Sequence, residues 1–296
     1  MSALKRKGTI LAIIGLFLLS GCSERFPVLD PAGPVGETQY RLILISALLT
    51  LIVVIPVIIL LIVIVIRYRD KPKRKAPYRP EWDDNKKLEI VWWAIPIIII
   101  AVLGFFTVKT TYQLAKPPAT TAEPLTIEVT SLDWKWLFTY PEQGVATVNH
   151  VEIPTGRPIQ FVLTADAPMN SFWIPELGGQ EYTMPGMAMR LWLQSNKDGV
   201  FTGKGANFTG KGFAHMSFKV HSKNQKDFDQ WVEKVKASAP KMTEQKYQDL
   251  TKPSVVDPMS FSAYPKDLYK NIVIKNGGMH MNDWFFKENK MEHAEH

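Results

Sequence analysis

The chain has 296 residues, which is enough for a membrane part and one globular domain of ordinary size. It carries a formal net charge of +7 and a single cysteine. One cysteine excludes an intramolecular disulfide, a CxxC redox pair and a thiolate-bridged metal cluster within the chain. Much of the positive charge lies at 67–87, between two apolar runs, where basic residues signal membrane topology. We therefore expect a membrane protein and no nucleic-acid partner.

The N-terminus has the pattern of a bacterial secretory signal. Three basic residues at 5–7 precede an apolar run at 9–19, and small residues lead to a cleavage point. The motif Leu-Ser-Gly-Cys, which ends at Cys22, resembles the bacterial lipobox, in which the cysteine becomes the lipidated N-terminus. We expect a lipoprotein signal peptide at 1–21, acylation of Cys22 with a lipid such as palmitate, and a periplasmic segment at 22–41.

Two apolar runs predict transmembrane helices at 42–66 and 88–110. The first contains no charged residue, and each is long enough to cross a hydrocarbon core of about 30 Å. The basic loop at 67–87 should stay cytoplasmic, because positive charge is retained on that side. Both ends of the mature chain then face the periplasm.

A Pro- and Thr-rich linker at 111–122 leads to a periplasmic domain at 123–222 with the alternation and turn spacing of an all-β sandwich. Apolar residues at helical spacing then predict a helix that ends before Pro240, and 243–251 fit another short helix. The rest of the C-terminal extension, 223–296, is polar, and much of it is expected to be loosely ordered. The predicted strands are 125–129, 135–140, 146–153, 159–164, 189–194 and 213–221.

Several stretches together resemble subunit II of the haem-copper oxidases. Glu89 followed by two tryptophans and Pro96 is similar to the opening of that family's second span, and Asp-Trp-Lys-Trp at 133–136 matches its aromatic motif. Asn-Ser-Phe-Trp-Ile-Pro-Glu-Leu-Gly at 170–178 is similar to its His-Ser-Phe-Trp-Val-Pro-Glu-Leu-Gly. Residues 201–220 follow its copper loop. The resemblance implies a cupredoxin-like sandwich after a membrane α-hairpin.

The departures from that family concern its copper ligands. In the family, two bridging cysteines, two histidines, a methionine and a main-chain carbonyl hold a dinuclear copper centre. Soft thiolates are what such a centre needs, and the chain has none to offer here. We therefore expect no metal, cofactor or catalytic residue in this chain. The matching positions hold Asn170 and Phe213 for the histidines, Gly205 and Thr209 for the cysteines, Asn207 for the intervening Glu, and Met216 for the methionine.

Absence of the copper is the pattern of the quinol-oxidising, cytochrome bo branch of the superfamily. The resemblance implies a structural subunit of a proton-pumping ubiquinol oxidase in the bacterial inner membrane. Its haems and copper would belong to the large subunit I, and smaller membrane subunits III and IV would complete the complex. The alternative is a free-standing, membrane-anchored cupredoxin-like lipoprotein for electron transfer or copper handling.

Three further residues take expected roles from the resemblance. Glu89 matches a glutamate near the cytoplasmic mouth of a proton-uptake channel, although a solvated carboxylate balanced by Lys86 and Lys87 is an equal alternative. Trp134 and Trp136 match an electron-entry patch. With no copper beneath them, we expect both tryptophans to pack against the large subunit.

Overall fold

A computed structural model describes residues 26–69, 81 and 83–278, so Cys22 and the signal peptide lie outside the described residues. The described chain divides into two compact units. Glu37–Pro117 form one unit, and the chain on either side of it forms the other.

The first unit consists of two long helices, α1 (Pro34–Tyr68) and α2 (Lys86–Leu114). Both are long and apolar enough to cross a membrane. They extend beyond the predicted 42–66 and 88–110 because polar residues continue the helical turns past each apolar run. The side chain of Asn85 caps α2 by accepting hydrogen bonds from the main-chain N–H groups of Lys87 and Leu88. Most of the predicted cytoplasmic loop lies outside the described residues.

The second unit is a sandwich of two β-sheets. One has six strands in the order β11-β3-β2-β1-β5-β8, and the other has five in the order β4-β10-β9-β6-β7. The strand bounds are β1 Leu125–Leu132, β2 Lys135–Tyr140, β3 Val145–Val148, β4 His150–Pro154, β5 Ile159–Ala165, β6 Asn170–Trp173, β7 Glu181–Thr183, β8 Met189–Leu193, β9 Gly199–Gly205, β10 Ser217–Lys223 and β11 Met259–Phe261.

The predicted strand at 146–153 is two strands, which belong to different sheets. Asn149 separates them with a φ of 58°, a left-handed conformation that asparagine tolerates better than most residues. Its side chain is fixed on both sides: Oδ1 accepts from the N–H of Trp136 at 2.9 Å, and Nδ2 donates to the carbonyl of Val256 at 2.8 Å. The prediction of one strand at 213–221 is also wrong at its start, where Phe213–His215 form a 3-10 turn.

Trp136 lies at the centre of the sandwich and is fully buried. Its ring makes edge contacts with Phe172 and Phe218, at centroid distances of 5.3 and 5.7 Å. The expected packing of Trp136 against a large subunit is therefore wrong, because the side chain is enclosed by its own domain.

The C-terminal extension packs against β1–β3 of the six-stranded sheet and, through its first helix, also against β4 of the other sheet. Helices α3 (Gln225–Ser238) and α4 (Glu244–Thr251) lie where they were predicted. The expectation of loose order beyond residue 251 is wrong as far as Gly278, because β11 pairs with β3 and α5 (Leu268–Lys275) follows. Residues 279–296 lie outside the described residues. The apolar cluster beneath the extension contains Leu132, Leu137, Ala146, Val148, Met242, Tyr247, Leu250, Phe261, Leu268 and Ile272.

The segment before α1 is held against the sandwich. Ala32 donates its N–H to the carbonyl of Glu176 and accepts from the N–H of Asn196, both at 2.8 Å. Gly33 approaches the carbonyl of Gln194 so closely that an added Cβ would lie 1.8 Å from its oxygen. A glycine is therefore required at this close approach.

Candidate functional site

Three of the positions that match copper ligands meet inside the sandwich. Asn170, at the start of β6, is fully buried, and its Nδ2 donates to the sulfur of Met216 at 3.0 Å. Gly205, at the end of β9, donates its N–H to the carbonyl of Met216 at 2.9 Å. An added Cβ on Gly205 would lie 2.9 Å from Oδ1 of Asn170. The asparagine amide therefore occupies the space beside the missing side chain.

The amide oxygen of Asn170 organises the neighbouring main chain. It accepts from the N–H of Ser171 at 2.7 Å and from the N–H of Asn207 at 3.3 Å. With the bond from Nδ2 to Met216, one neutral side chain joins β6 to both ends of the loop at 206–216. A buried amide that is used in this way stabilises the loop, whereas an unpaired one would destabilise it.

Thr209 and Phe213 take part in different contacts. The carbonyl of Thr209 accepts from Nε1 of Trp134 at 2.9 Å. The ring of Phe213 meets that of Phe208 edge-on at 5.6 Å, and Phe208 is 81% exposed. Neither side chain offers a thiolate or an imidazole.

An open cavity of about 360 Å³ lies beside this cluster. Met216 and Gly205 are at one side, and Trp173 and Phe213 contribute aromatic walls. The ammonium of Lys204 lies 4.9 Å from the centre of the Trp173 ring, close enough for a cation–π contact. The cavity is therefore aromatic and basic rather than rich in metal ligands.

The donor set does not fit a thiolate-bridged copper pair. An amide, a thioether and main-chain groups replace the soft anionic ligands that such a pair needs. Among the residues that the structure describes, no three His, Cys, Asp or Glu side chains are grouped so that they could hold a metal ion.

Glu89 lies in the first turn of α2 and is exposed. A carboxylate there also interacts favourably with the positive end of the helix dipole, whatever else it does. Its role in proton uptake stays a prediction. Trp134 is partly exposed, so its expected contact with a large subunit also stays a prediction.

Sequence reasoning missed a buried carboxylate that holds the C-terminal extension. Asp166, just after β5, accepts from the hydroxyl of Tyr247 at 2.6 Å, from Nζ of Lys275 at 3.0 Å and from Nδ2 of Asn276 at 3.0 Å. Burial alone would raise the pKa of Asp166, but these donors outweigh it and lower the pKa below its usual value. Its partners are about 80 or more positions away, so no local pattern indicated them.

Two further ionisable groups were missed. Lys135 is fully buried, and burial lowers the pKa of its ammonium, partly opposed by the charge of Asp133. Burial raises the pKa of Glu128 to about 7, opposed by a hydrogen bond from Thr139 and assisted by the charge of Asp267. The only sequence signal was a charge inside an otherwise apolar strand.

Two long apolar helices, a cupredoxin-like sandwich and a copper loop that lacks the cysteine and histidine ligands define a membrane-anchored protein of the subunit II type. The chain belongs to the cytochrome c oxidase subunit II family. The family's transmembrane domain matches residues 29–110, and its periplasmic domain matches 142–223. A third match, the COX aromatic-rich motif, covers 236–280 and hence most of the C-terminal extension. The predicted membrane hairpin, sandwich and helical extension are confirmed.

Curated relatives carry quinol oxidase names. The quinol oxidase subunit 2 of Bacillus anthracis is 47% identical, over 86% of this chain and 89% of that protein. The cytochrome bo(3) ubiquinol oxidase subunit 2 of Pseudomonas putida is 46% identical, over 91% of this chain and 86% of that one. The ubiquinol oxidase subunit 2 of Acetobacter aceti is 40% identical, over 94% and 91%. The predicted resemblance to the subunit II of quinol oxidases is confirmed.

Among solved structures, the periplasmic domain of subunit II of cytochrome oxidase from Bradyrhizobium japonicum is similar at 25% identity with a TM-score of 0.38. The match covers 41% of this chain and 98% of that one. Membership of the subunit II family, which the sequence matches above show, implies a subunit I as the partner of this chain.

Proposed function

We propose that the chain is a non-catalytic, structural subunit of a proton-pumping terminal ubiquinol oxidase. The observation that supports this most directly is the replacement of both cysteines and both histidines among the copper ligands, in a chain whose relatives are named quinol oxidase subunits; only Met216 of the ligand side chains remains. A buried asparagine amide fills the place of the ligands, so the loop is ordered by hydrogen bonds within the domain.

The chemistry of the electron donor explains why such a subunit would not need a copper centre. A soluble protein donor needs a relay at the outer surface, whereas ubiquinol is dissolved in the membrane and can reduce a haem through a site within it. We assign the haems, the oxygen-site copper and the quinol chemistry to subunit I, with subunits III and IV as further membrane partners. Cys22 carries the lipid, and the sandwich faces the periplasm.

The test is purification of the intact complex through a tag on this chain. We expect haem absorbance to co-purify and oxygen consumption to be supported by ubiquinol but not by reduced cytochrome c. Copper should be confined to the oxygen-reducing subunit, without the visible charge-transfer bands of a thiolate-bridged pair. Oxidation of cytochrome c, or a chain that purifies alone with stoichiometric copper, contradicts the proposal. The second of these outcomes would instead favour a free-standing cupredoxin-like lipoprotein.

A further inference from the structure

The ammonium of Lys135 is bound entirely by main-chain oxygens. Lys135 begins β2, is fully buried, and donates at 2.9 Å to each of three carbonyls, those of Asp133, Leu250 and Lys252. An ammonium has three N–H donors, so this set satisfies all of them. The arrangement keeps a buried cation hydrogen-bonded without requiring a carboxylate in direct contact.

These three carbonyls belong to two separate parts of the domain. Asp133 lies in the turn between β1 and β2, whereas Leu250 and Lys252 lie at the C-terminal end of α4. Carbonyls at that end of a helix lack partners within the helix and carry its negative partial charge. Lys135 therefore caps α4 and fastens the C-terminal extension to the β1–β2 turn.

The β1–β2 turn also contains Trp134, whose side chain contacts the loop at 206–216. Trp134 has a φ of 64°, a left-handed conformation that a bulky residue adopts only where its surroundings impose it. Its Nε1 donates to the carbonyl of Thr209 at 2.9 Å. An added Cβ on Gly212 would lie 2.3 Å from Cδ2 of Trp134, so the loop is shaped around this ring.

Lys135 and Trp134 are consecutive residues, and their side chains contact different parts of the domain. The Lys135 side chain contacts the C-terminal extension, and the Trp134 side chain contacts the loop in which copper ligands are missing. We infer that Lys135 and Trp134 form a mechanical tie, through which the docked C-terminal extension keeps the loop at 206–216 in its folded position. Lys135 is a positioning residue that acts on the loop through Trp134.

Hydrogen exchange measured by mass spectrometry on the purified intact complex tests this tie. We expect Lys135→Met to accelerate exchange about tenfold or more both at 244–252 and in the loop at 206–216, because local opening at one end releases the other. Lys246→Met is the matched control. It removes an exposed lysine from the same helix and leaves all three carbonyls in place, so exchange in the loop should stay unchanged.

Two more variants keep the test decisive if Lys135→Met prevents assembly. Trp134→Phe removes the indole N–H and should accelerate exchange in the loop while sparing 244–252. Tyr247→Phe removes the hydroxyl that holds α4 to Asp166, leaves Lys135 and Trp134 unchanged, and should still loosen the loop. The inference is overturned if Lys135→Met or Tyr247→Phe loosens the extension while the loop stays as protected as in the unmodified complex. It is equally overturned if Trp134→Phe leaves the loop unchanged.

Discussion

The hydroxyl of Tyr247 on α4 donates a 2.6 Å hydrogen bond to Oδ2 of Asp166, 81 positions earlier in the chain. Lys275 and Asn276, at the end of α5, bind the same carboxylate. One buried acid thus joins α4 and α5 to the C-terminal end of β5, in addition to the apolar contacts of these helices with the sheet.

Asp166→Asn should weaken docking of the extension. The amide removes the charge that attracts Lys275 and turns one acceptor into a donor, which we expect to cost about 1–3 kcal/mol of local stability. Limited proteolysis of the complex should then cut within 252–278 faster. Asp229→Asn, an exposed change on α3, is the control and should not alter the cleavage rate. Since the pKa of Asp166 is lowered, its contribution in the native protein should be lost only as the pH falls below about 4.

Glu128 should make the domain less stable as the pH rises from about 4.5 to about 7. Its pKa is about 7 when folded and 4.5 as the ordinary value, so only the unfolded chain releases the proton in that window. This difference in pKa corresponds to a loss of at most about 3 kcal/mol in the free energy of unfolding. Glu128→Gln should raise the thermal unfolding midpoint of the complex at pH 8 and change it little at pH 4.5. A similar gain from the exposed Glu233→Gln would show that the effect is one of net charge.

Gly205 and Asn170 should be energetically coupled. Gly205→Ala would push a methyl group against the amide of Asn170 and break its buried hydrogen bonds, at a cost of about 1–3 kcal/mol. In an Asn170→Ala background the same change should cost clearly less, because the obstructing side chain is gone. A double-mutant cycle on the unfolding free energy of the full chain measures this coupling. Gly104→Ala, where an added Cβ has no neighbour within 4 Å, is the control.

Glu89→Ala should slow proton delivery during haem reduction without preventing assembly, if the carboxylate lies at a proton-uptake entrance. We expect at least about a threefold fall in turnover, which corresponds to about 0.6 kcal/mol in the barrier. Oxygen consumption and proton release in proteoliposomes provide the measurement. Asp84→Ala removes an exposed acid just before the same helix and should be silent. If oxygen consumption and proton release are unchanged in both variants, Glu89 has no role in proton uptake and interacts only electrostatically with the end of the helix.

Cys22→Ser should abolish incorporation of labelled palmitate into this chain, because no other cysteine is present. The chain should nevertheless stay in the membrane fraction after a carbonate wash, since two spans anchor far more strongly than acyl chains. Label that persists in the variant would place the lipid elsewhere.

The elements that the sequence predicted best have strong local signals. The two long apolar runs indicated α1 and α2, and Phe228, Val232 and Val235 at helical spacing indicated α3. The composition of the ligand loop followed directly from the residues that stand at the matching positions. These signals depend on residues close together in the chain or on a motif, and both can be recognised in the sequence alone.

The elements that were missed depend on tertiary contacts. Short strands such as β6 and β7 carry little periodicity, and α5 is only eight residues long, although Leu268, Tyr269, Ile272 and Val273 form an apolar stripe. Trp136 was placed at a surface by its motif, yet the sandwich encloses it. The roles of Lys135 and Asp166 depend on partners on a distant extension, and no spacing rule in the sequence connects them.

Burial of Met216 also has a chemical consequence for a subunit of a terminal oxidase. The residue is 2% exposed, and its sulfur accepts a hydrogen bond from the amide of Asn170, so we expect it to be oxidised more slowly than an exposed methionine. Among the methionines that the structure describes, Met169 and Met187, at 43% and 38% exposed, are more accessible to oxidants in solution. Slow oxidation of Met216 would preserve the hydrogen bond from Asn170 and, with it, the packing of the loop at 206–216.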